Sequence, residues 1–109
     1  MEEWNAITKL KATKNIAFEK IKERSKKKPI IYIFVADYCG HCKEFKKNTY
    51  ERLVKKIEGK YEYKLCNIEN SDYYISILKS ANVDKIPRIL VFKNGTVKNY
   101  SPEEFMETH

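Results

Sequence analysis

Residues 30–42, Ile-Ile-Tyr-Ile-Phe-Val-Ala-Asp-Tyr-Cys-Gly-His-Cys, decide the fold of this chain. The first seven are apolar without a break and rich in β-branched and aromatic types, a pattern that predicts a strand covered on both faces at the centre of a sheet. After two further residues come Cys39 and Cys42, and the apolar spacing from there predicts a helix over 42–58. A cysteine pair between a buried strand and a helix start is therefore the first candidate for a functional site.

Patterns on either side of this stretch alternate between strand and helix. Upstream, residues 4–9 predict a short edge strand and residues 13–27 a helix that ends before Pro29. The downstream predictions are strands over 61–68, 88–93 and 96–100, helices over 72–82 and from Ser101 onward, an N-cap at Ser71 and a hairpin turn at Asn94-Gly95. The order β-α-β-α-β-α-β-β-α predicts a single α/β domain over 1–109, with a mixed central sheet and helices on both faces.

The composition indicates whether a nucleic acid or a membrane is an expected partner. The 109 residues include 22 Lys and Arg against 15 Asp and Glu, a net charge of +7, but only Arg24, Arg52 and Arg88 are arginines. Because nucleic-acid readers depend on arginine forks, lysines spread along helices favour a solvated surface, with at most a salt-sensitive affinity for polyanions. No apolar run approaches the roughly 18 residues of a membrane span. We therefore expect a monomer that binds neither a specific nucleic acid nor a membrane.

The N-terminal residues are acidic and lack the apolar segment of a secretory signal. This pattern predicts a cytoplasmic protein. Two alternatives stay open at this point, namely a secretory-pathway domain without its leader and a viral protein that makes disulfides in the cytoplasm.

The spacing of the two cysteines predicts disulfide chemistry. Cys39 and Cys42 are three positions apart, so one helical turn brings their sulfurs within bonding distance. Cys39 would lie at the helix N-terminus, where unpaired N–H groups and the helix dipole stabilise a thiolate, and a protonated His41 would favour that anion further. Stabilising the reduced form makes the disulfide a better oxidant. We therefore assign Cys39 as the attacking thiol and Cys42 as the resolving thiol, separated by Gly40 and His41.

Two other interpretations of the cysteine pair were weighed. A zinc site would need ligands beyond Cys39 and Cys42, and only Cys66, His41 and His109 are available, because the chain has no second cysteine pair. A merely structural pair of core cysteines would not need glycine and histidine between them. Cys66 itself is expected to pack as a small apolar side chain. The preferred interpretation requires neither a metal nor an organic cofactor.

The stretch 34–43, with its Cys39-Gly40-His41-Cys42 core, resembles a thioredoxin-superfamily active site. Its Gly-His dipeptide is typical of protein disulfide isomerase catalytic domains. A second matching motif is Val83-Asp84-Lys85-Ile86-Pro87, which precedes a predicted strand. The resemblance implies a thioredoxin fold in which the Ile86–Pro87 peptide bond is cis and Pro87 lies against the cysteine pair.

The resemblance also implies a function. It indicates a thiol–disulfide oxidoreductase of the oxidase or isomerase type, whose partners are protein thiols and disulfides. The backbone of Ile86, beside Pro87, would contact the substrate chain, and Tyr38 would flank the same groove. The guanidinium of Arg88 would face either the substrate or the solvent. Alternatives are a thioredoxin-like reductant and a redox-inactive or redox-sensing module that binds peptides.

Several positions depart from the family pattern. Ile33, six positions before the first cysteine, replaces the usual buried acid that helps to move the proton of the resolving thiol. Tyr38 replaces tryptophan, and Asp37 would oppose a thiolate if its carboxylate pointed inward. Lys47 replaces a helix-kinking proline and predicts a straighter second helix, and Arg88 replaces the usual threonine.

Overall fold

The computed structural model describes residues 17–109. The strand predicted over 4–9 and the start of the helix predicted over 13–27 lie outside the described residues. The described part of that helix, α1, covers residues 17–24, and a turn follows it. The helix ends earlier than predicted, and in the turn that follows it the Ser25 hydroxyl donates to the carbonyl of Lys22 (2.6 Å).

The described residues form one mixed sheet of four strands. In chain order they are β1 (Ile30–Val35), β2 (Glu62–Asn67), β3 (Arg88–Lys93) and β4 (Thr96–Tyr100). Their spatial order is β2-β1-β3-β4, with β1 parallel to β2 and the other two pairings antiparallel. Every residue of β1 is buried, as its unbroken apolar sequence predicts for a central strand.

Helices cover both faces of this sheet. After α1 they are α2 (Gly40–Asn48), α3 (Tyr50–Ile57), α4 (Asp72–Ser80) and α5 (Pro102–Thr108), with a short 3₁₀ turn over Ile68–Asn70. The described part of the chain therefore has the thioredoxin fold that the resemblance implies. No helix in this part of the chain is both long enough and apolar enough to cross a bilayer.

Alternation along β1 divides the core into two apolar clusters. Tyr32 and Phe34 face α1 and α4, whose contributions include Phe18 and Ile77. Ile31, Ile33 and Val35 face the side covered by α2, α3 and α5, where the helices contribute the residues Cys42, Phe45, Leu53, Ile57 and Phe105. The cysteine pair therefore lies on the second face, against the odd-numbered residues of β1.

The helix predicted over 42–58 is interrupted at one residue, so the prediction of a single helix was wrong. Thr49 has φ −121° and ψ −33° and separates α2 from α3. Threonine is β-branched and a poor former of helix interiors. The interruption is one residue wide, because the Thr49 N–H still donates to Phe45 and the Leu53 N–H to Thr49.

The caps of the last two helices match their sequence signals. Ser71 accepts the N–H of Tyr73 (3.1 Å) at the start of α4, which ends at Ser80, two residues before the predicted end. Ser101 and Glu104 form a reciprocal capping box at α5. Because α5 begins immediately after β4, this cap also fixes the chain beside the candidate site.

Candidate active site

Cys39 occupies the N-cap of α2. Its backbone is extended (φ −87°, ψ 115°), and its N–H donates to the carbonyl of Ala36 (3.2 Å). The N–H of Cys42 donates to the Cys39 sulfur across 3.2 Å. The side chain is half-buried, so reagents can reach this sulfur. An accessible sulfur with a helix N–H aimed at it has the environment of reactive cysteines in general.

Cys42 lies one helical turn further on and is fully buried. Burial, and secondly a hydrogen bond with Cys39, raise the pKa of the Cys42 thiol to about 11. Both cysteines are free thiols in the structure. The pair is thus asymmetric, because Cys39 is half-buried and Cys42 is fully buried.

The loop before β3 approaches the same sulfur. The Ile86–Pro87 peptide bond is cis, and the carbonyl of Ile86 accepts a long hydrogen bond from the Cys39 thiol (3.9 Å). His41, Pro87 and Arg88 line a cavity of about 350 Å³ between the start of α2, this loop and the start of α5. The structure therefore brings the two sequence motifs together around one cavity.

Tyr38 and Asp37 lie at the outer edge of the site. Tyr38 is 71% exposed, so its ring is available to a bound partner. The Asp37 carboxylate pairs with Lys46 of α2 at 3.6 Å and is itself largely exposed. It points toward solvent, and the condition under which it would oppose a thiolate on Cys39 is not met.

Arg88 follows Pro87 at the first position of β3. Its guanidinium lies 3.6 Å from the Glu104 carboxylate, and its side chain is only 22% exposed. The hydrogen bonds of the capping box, above all those with Ser101, lower the pKa of Glu104, which keeps this partner of Arg88 charged. Arg88 therefore lines the cavity with its charge partly matched by the cap of α5.

Glu69 is a residue of this site that no sequence motif predicts. Its carboxylate accepts the N–H groups of Asp37 and, at 3.3 Å, of Tyr38. The strand pairing could have indicated this contact. β1 and β2 are parallel with Val35 opposite Asn67, so Asp37 and Glu69 each follow their strand by two residues. Residues that follow neighbouring parallel strands meet at the same edge of a sheet.

Cys66 lies in the cluster on the opposite face of the sheet from Cys42. It is fully buried, and burial raises the pKa of its thiol to about 12. Cys66 therefore packs as a small apolar side chain, as expected. The sheet separates Cys66 from the cysteine pair. His109 stacks on Phe105 at the end of α5, with 4.2 Å between the ring centroids. Cys66 and His109 therefore do not join Cys39 and Cys42 in a zinc site. Within residues 17–109 no group of three or more metal-ligating side chains converges.

The wall under Cys42 is apolar. Ile33 has no exposed surface and belongs to the same cluster as Cys42, with Val35 and Phe45. Among residues 17–109 no aspartate or glutamate is buried. The described protein interior thus offers no carboxylate to accept the proton of the resolving thiol.

We expect iodoacetamide at neutral pH to modify Cys39 alone in the folded, reduced protein. Cys42 and Cys66 are shielded, and their raised pKa values of about 11 and about 12 keep them protonated. At about pH 9 the labelling should still be confined to Cys39, whereas denaturant should expose all three thiols. Peptide mass spectrometry measures the sites, and labelling of Cys42 at the rate of Cys39 in the folded protein would contradict the asymmetry.

Comparison with known proteins agrees with this geometry. Residues 9–107 match the Thioredoxin family, and the chain belongs to that family. It is 33% identical over 88 residues to the Thiol:disulfide interchange protein DsbD of Campylobacter jejuni (strain RM1221), a match that covers 74% of this chain and 15% of that protein. A thioredoxin domain-containing protein of Acanthamoeba polyphaga mimivirus is 29% identical over 72 residues, covering 62% of this chain and 20% of the relative. The chain thus spans a fifth or less of the length of these relatives.

Proposed function

We propose that this domain is a thiol–disulfide oxidoreductase that exchanges disulfides with protein substrates in the oxidising or isomerising direction. The observation that carries the proposal is the asymmetric pair, in which Cys39 is reachable and accepts a helix N–H while Cys42 is buried beneath it. Membership of the thioredoxin family supports the proposal, as does the name of the relative from Campylobacter jejuni, which is a thiol:disulfide interchange protein.

The reaction is a pair of sulfur displacements. The Cys39 thiolate attacks one sulfur of a substrate disulfide, so that the substrate S–S bond breaks, a Cys39–substrate bond forms and the second substrate sulfur leaves as a thiolate. Cys42 then gives its proton to the substrate thiolate freed in the first step and attacks the Cys39 sulfur. The Cys39–Cys42 bond forms, the Cys39–substrate bond breaks, and the second substrate sulfur leaves as a thiolate that solvent protonates, so the substrate is released as a dithiol. The domain loses two electrons and the substrate gains two. The reverse sequence, starting from the oxidised domain, introduces a disulfide into a substrate dithiol.

The cavity beside Cys39 is the proposed binding site for the substrate chain. Ile86 and Pro87 line it next to the attacking sulfur, and the exposed ring of Tyr38, the residue before Cys39, is available to the same substrate chain. Arg88 lines the same cavity. Its guanidinium supplies a cationic donor to substrate groups, against the competition of Glu104.

His41 favours the oxidising direction. It lies in the first turn of α2, between the two cysteines, and its imidazolium form would stabilise the Cys39 thiolate and so the reduced protein. We therefore expect a reduction potential near the isomerase value of about −180 mV rather than the thioredoxin value of about −270 mV. Equilibration with glutathione buffers measures it, and the variant His41→Ala should move it toward the more reducing value. A wild-type potential at or below about −270 mV would instead assign the domain as a thioredoxin-like reductant.

The apolar wall at Ile33 favours a second candidate, a redox-inactive or redox-sensing module that binds peptides. The wall provides no proton acceptor for Cys42, and burial raises the pKa of this thiol to about 11. The attack of Cys42 on the Cys39–substrate disulfide should therefore be slow. Reduction of insulin and refolding of scrambled ribonuclease decide between the candidates. Turnover in either assay eliminates the binding module, whereas an intact, reducible disulfide without any turnover eliminates the oxidoreductase.

A further inference from the structure

Glu69 contacts the segment that leads into the active site. It belongs to the 3₁₀ turn that follows β2, and its Oε1 accepts the N–H of Asp37 and, at 3.3 Å, the N–H of Tyr38. These two residues are the link between Ala36, at the end of the central strand, and Cys39. One carboxylate oxygen, from the turn after β2, therefore accepts the backbone N–H groups of both link residues.

The hydrogen bonds of this link form a complete set. The Cys39 N–H donates to the Ala36 carbonyl at 3.2 Å, and Glu69 accepts the two N–H groups in between. Every backbone donor from Asp37 to Cys39 is thus satisfied, which fixes the path of the chain into α2. Glu69 is itself oriented, because the side-chain oxygen of Asn67 accepts its N–H at 3.0 Å.

We propose that Glu69 is a positioning residue for the exchange reaction. It fixes the link formed by Asp37 and Tyr38, and through that link it holds the Cys39 sulfur at the N-terminus of α2, in line with the N–H of Cys42. The proposal rests on the oxidoreductase function proposed above. Glu69 acts through the backbone and does not touch the reacting sulfurs.

The charge and the hydrogen bonds of Glu69 should have opposite effects on Cys39, so variants that remove one or both can test the positioning role. A carboxylate near Cys39 disfavours a thiolate by its charge, whereas its hydrogen bonds favour the reactive geometry. Glutamine keeps a carbonyl oxygen that can accept the same two N–H groups, but it removes the charge. Alanine removes both. The two variants therefore separate positioning from electrostatics.

The experiment compares Glu69→Gln, Glu69→Ala and the control Glu58→Ala, which changes another exposed glutamate, at the end of α3. Hydrogen exchange of the Asp37 and Tyr38 amides should accelerate by at least about tenfold in Glu69→Ala, through local opening, and stay close to the wild-type rate in Glu69→Gln and Glu58→Ala. In the insulin assay, Glu69→Ala should lower kcat by about three- to tenfold with little change in KM, because a misplaced sulfur slows chemistry more than binding. Glu69→Gln should retain most of the activity.

Two results would overturn the positioning role. The first is equal shifts in the pH profile of Cys39 alkylation in Glu69→Gln and Glu69→Ala, with unchanged exchange of the two amides, which would assign the effect to charge alone. The second is a loss of kcat in Glu69→Ala that only matches the fraction of unfolded protein. The proposed function fails separately, when wild-type protein shows no turnover. Exchange and alkylation need no turnover, so they still decide whether Glu69 holds the link.

Discussion

Replacing Cys39 by serine should lower the rate of disulfide exchange by at least about a thousandfold, a loss on the order of 4 kcal/mol in transition-state stabilisation. The hydroxyl that replaces the thiol is not ionised near neutral pH and is a poor nucleophile toward sulfur. No other cysteine among residues 17–109 can substitute, because Cys42 and Cys66 are both buried. Insulin reduction and ribonuclease refolding both report the rate.

Replacing Cys42 by serine should have a different result, because the first displacement is preserved and the second is removed. The Cys39–substrate disulfide should then accumulate in nearly stoichiometric amounts and survive on a non-reducing gel, where mass spectrometry identifies the linked peptide. The matched control is Cys66→Ala, which deletes a thiol on the opposite face of the sheet and should leave the exchange rate unchanged. Trapping through Cys42 in a Cys39→Ser variant, or full activity of that variant, would refute the assigned roles.

Local signals predicted most of the fold. The unbroken apolar run specifies β1 as a central strand, since only burial on both faces accommodates seven such residues. Asn94-Gly95 specifies the hairpin between β3 and β4, and both residues have positive φ (54° and 81°), as such a turn requires. Ser101, with Glu104 three residues later, specifies the start of α5. Each of these features depends on residues within one or two turns of the chain.

The features that sequence reasoning missed depend on distant partners. Glu69 contacts the link before Cys39 only because β1 and β2 pair in parallel, a fact that no local pattern around Glu69 records. The outward orientation of Asp37 depends on Lys46, nine residues along the chain on the next helix. Thr49 interrupts a helix whose apolar spacing continues on both sides, so the spacing did not predict the interruption. Prediction from local pattern therefore located the reactive sulfurs but not the groups that hold their surroundings.

Ile33 departs most clearly from the family pattern, because it replaces the usual buried acid. Ile33→Asp should destabilise the folded protein at neutral pH by about 3–5 kcal/mol, because it removes a buried apolar side chain and places a carboxyl group in a dry cluster. Burial would raise the pKa of this new carboxyl above its unfolded value of about 3.9, so the folded state favours the protonated form. The penalty is therefore smallest below about pH 4, grows between that unfolded value and the raised pKa of the folded state, and is constant at higher pH.

The matched control is Ile33→Asn, which has the same shape and polarity without a titrating group. Denaturant unfolding at about pH 5 and about pH 8 should show a larger penalty at the higher pH for Ile33→Asp only. The same carboxylate lies in the cluster that contains Cys42, so it should also accept the Cys42 proton and speed release of substrate from the Cys39–substrate disulfide relative to Ile33→Asn. Equal release rates in the two variants would show that proton removal from Cys42 does not limit exchange. Faster release in the less stable protein would mean that Ile33 favours a stable core over rapid resolution.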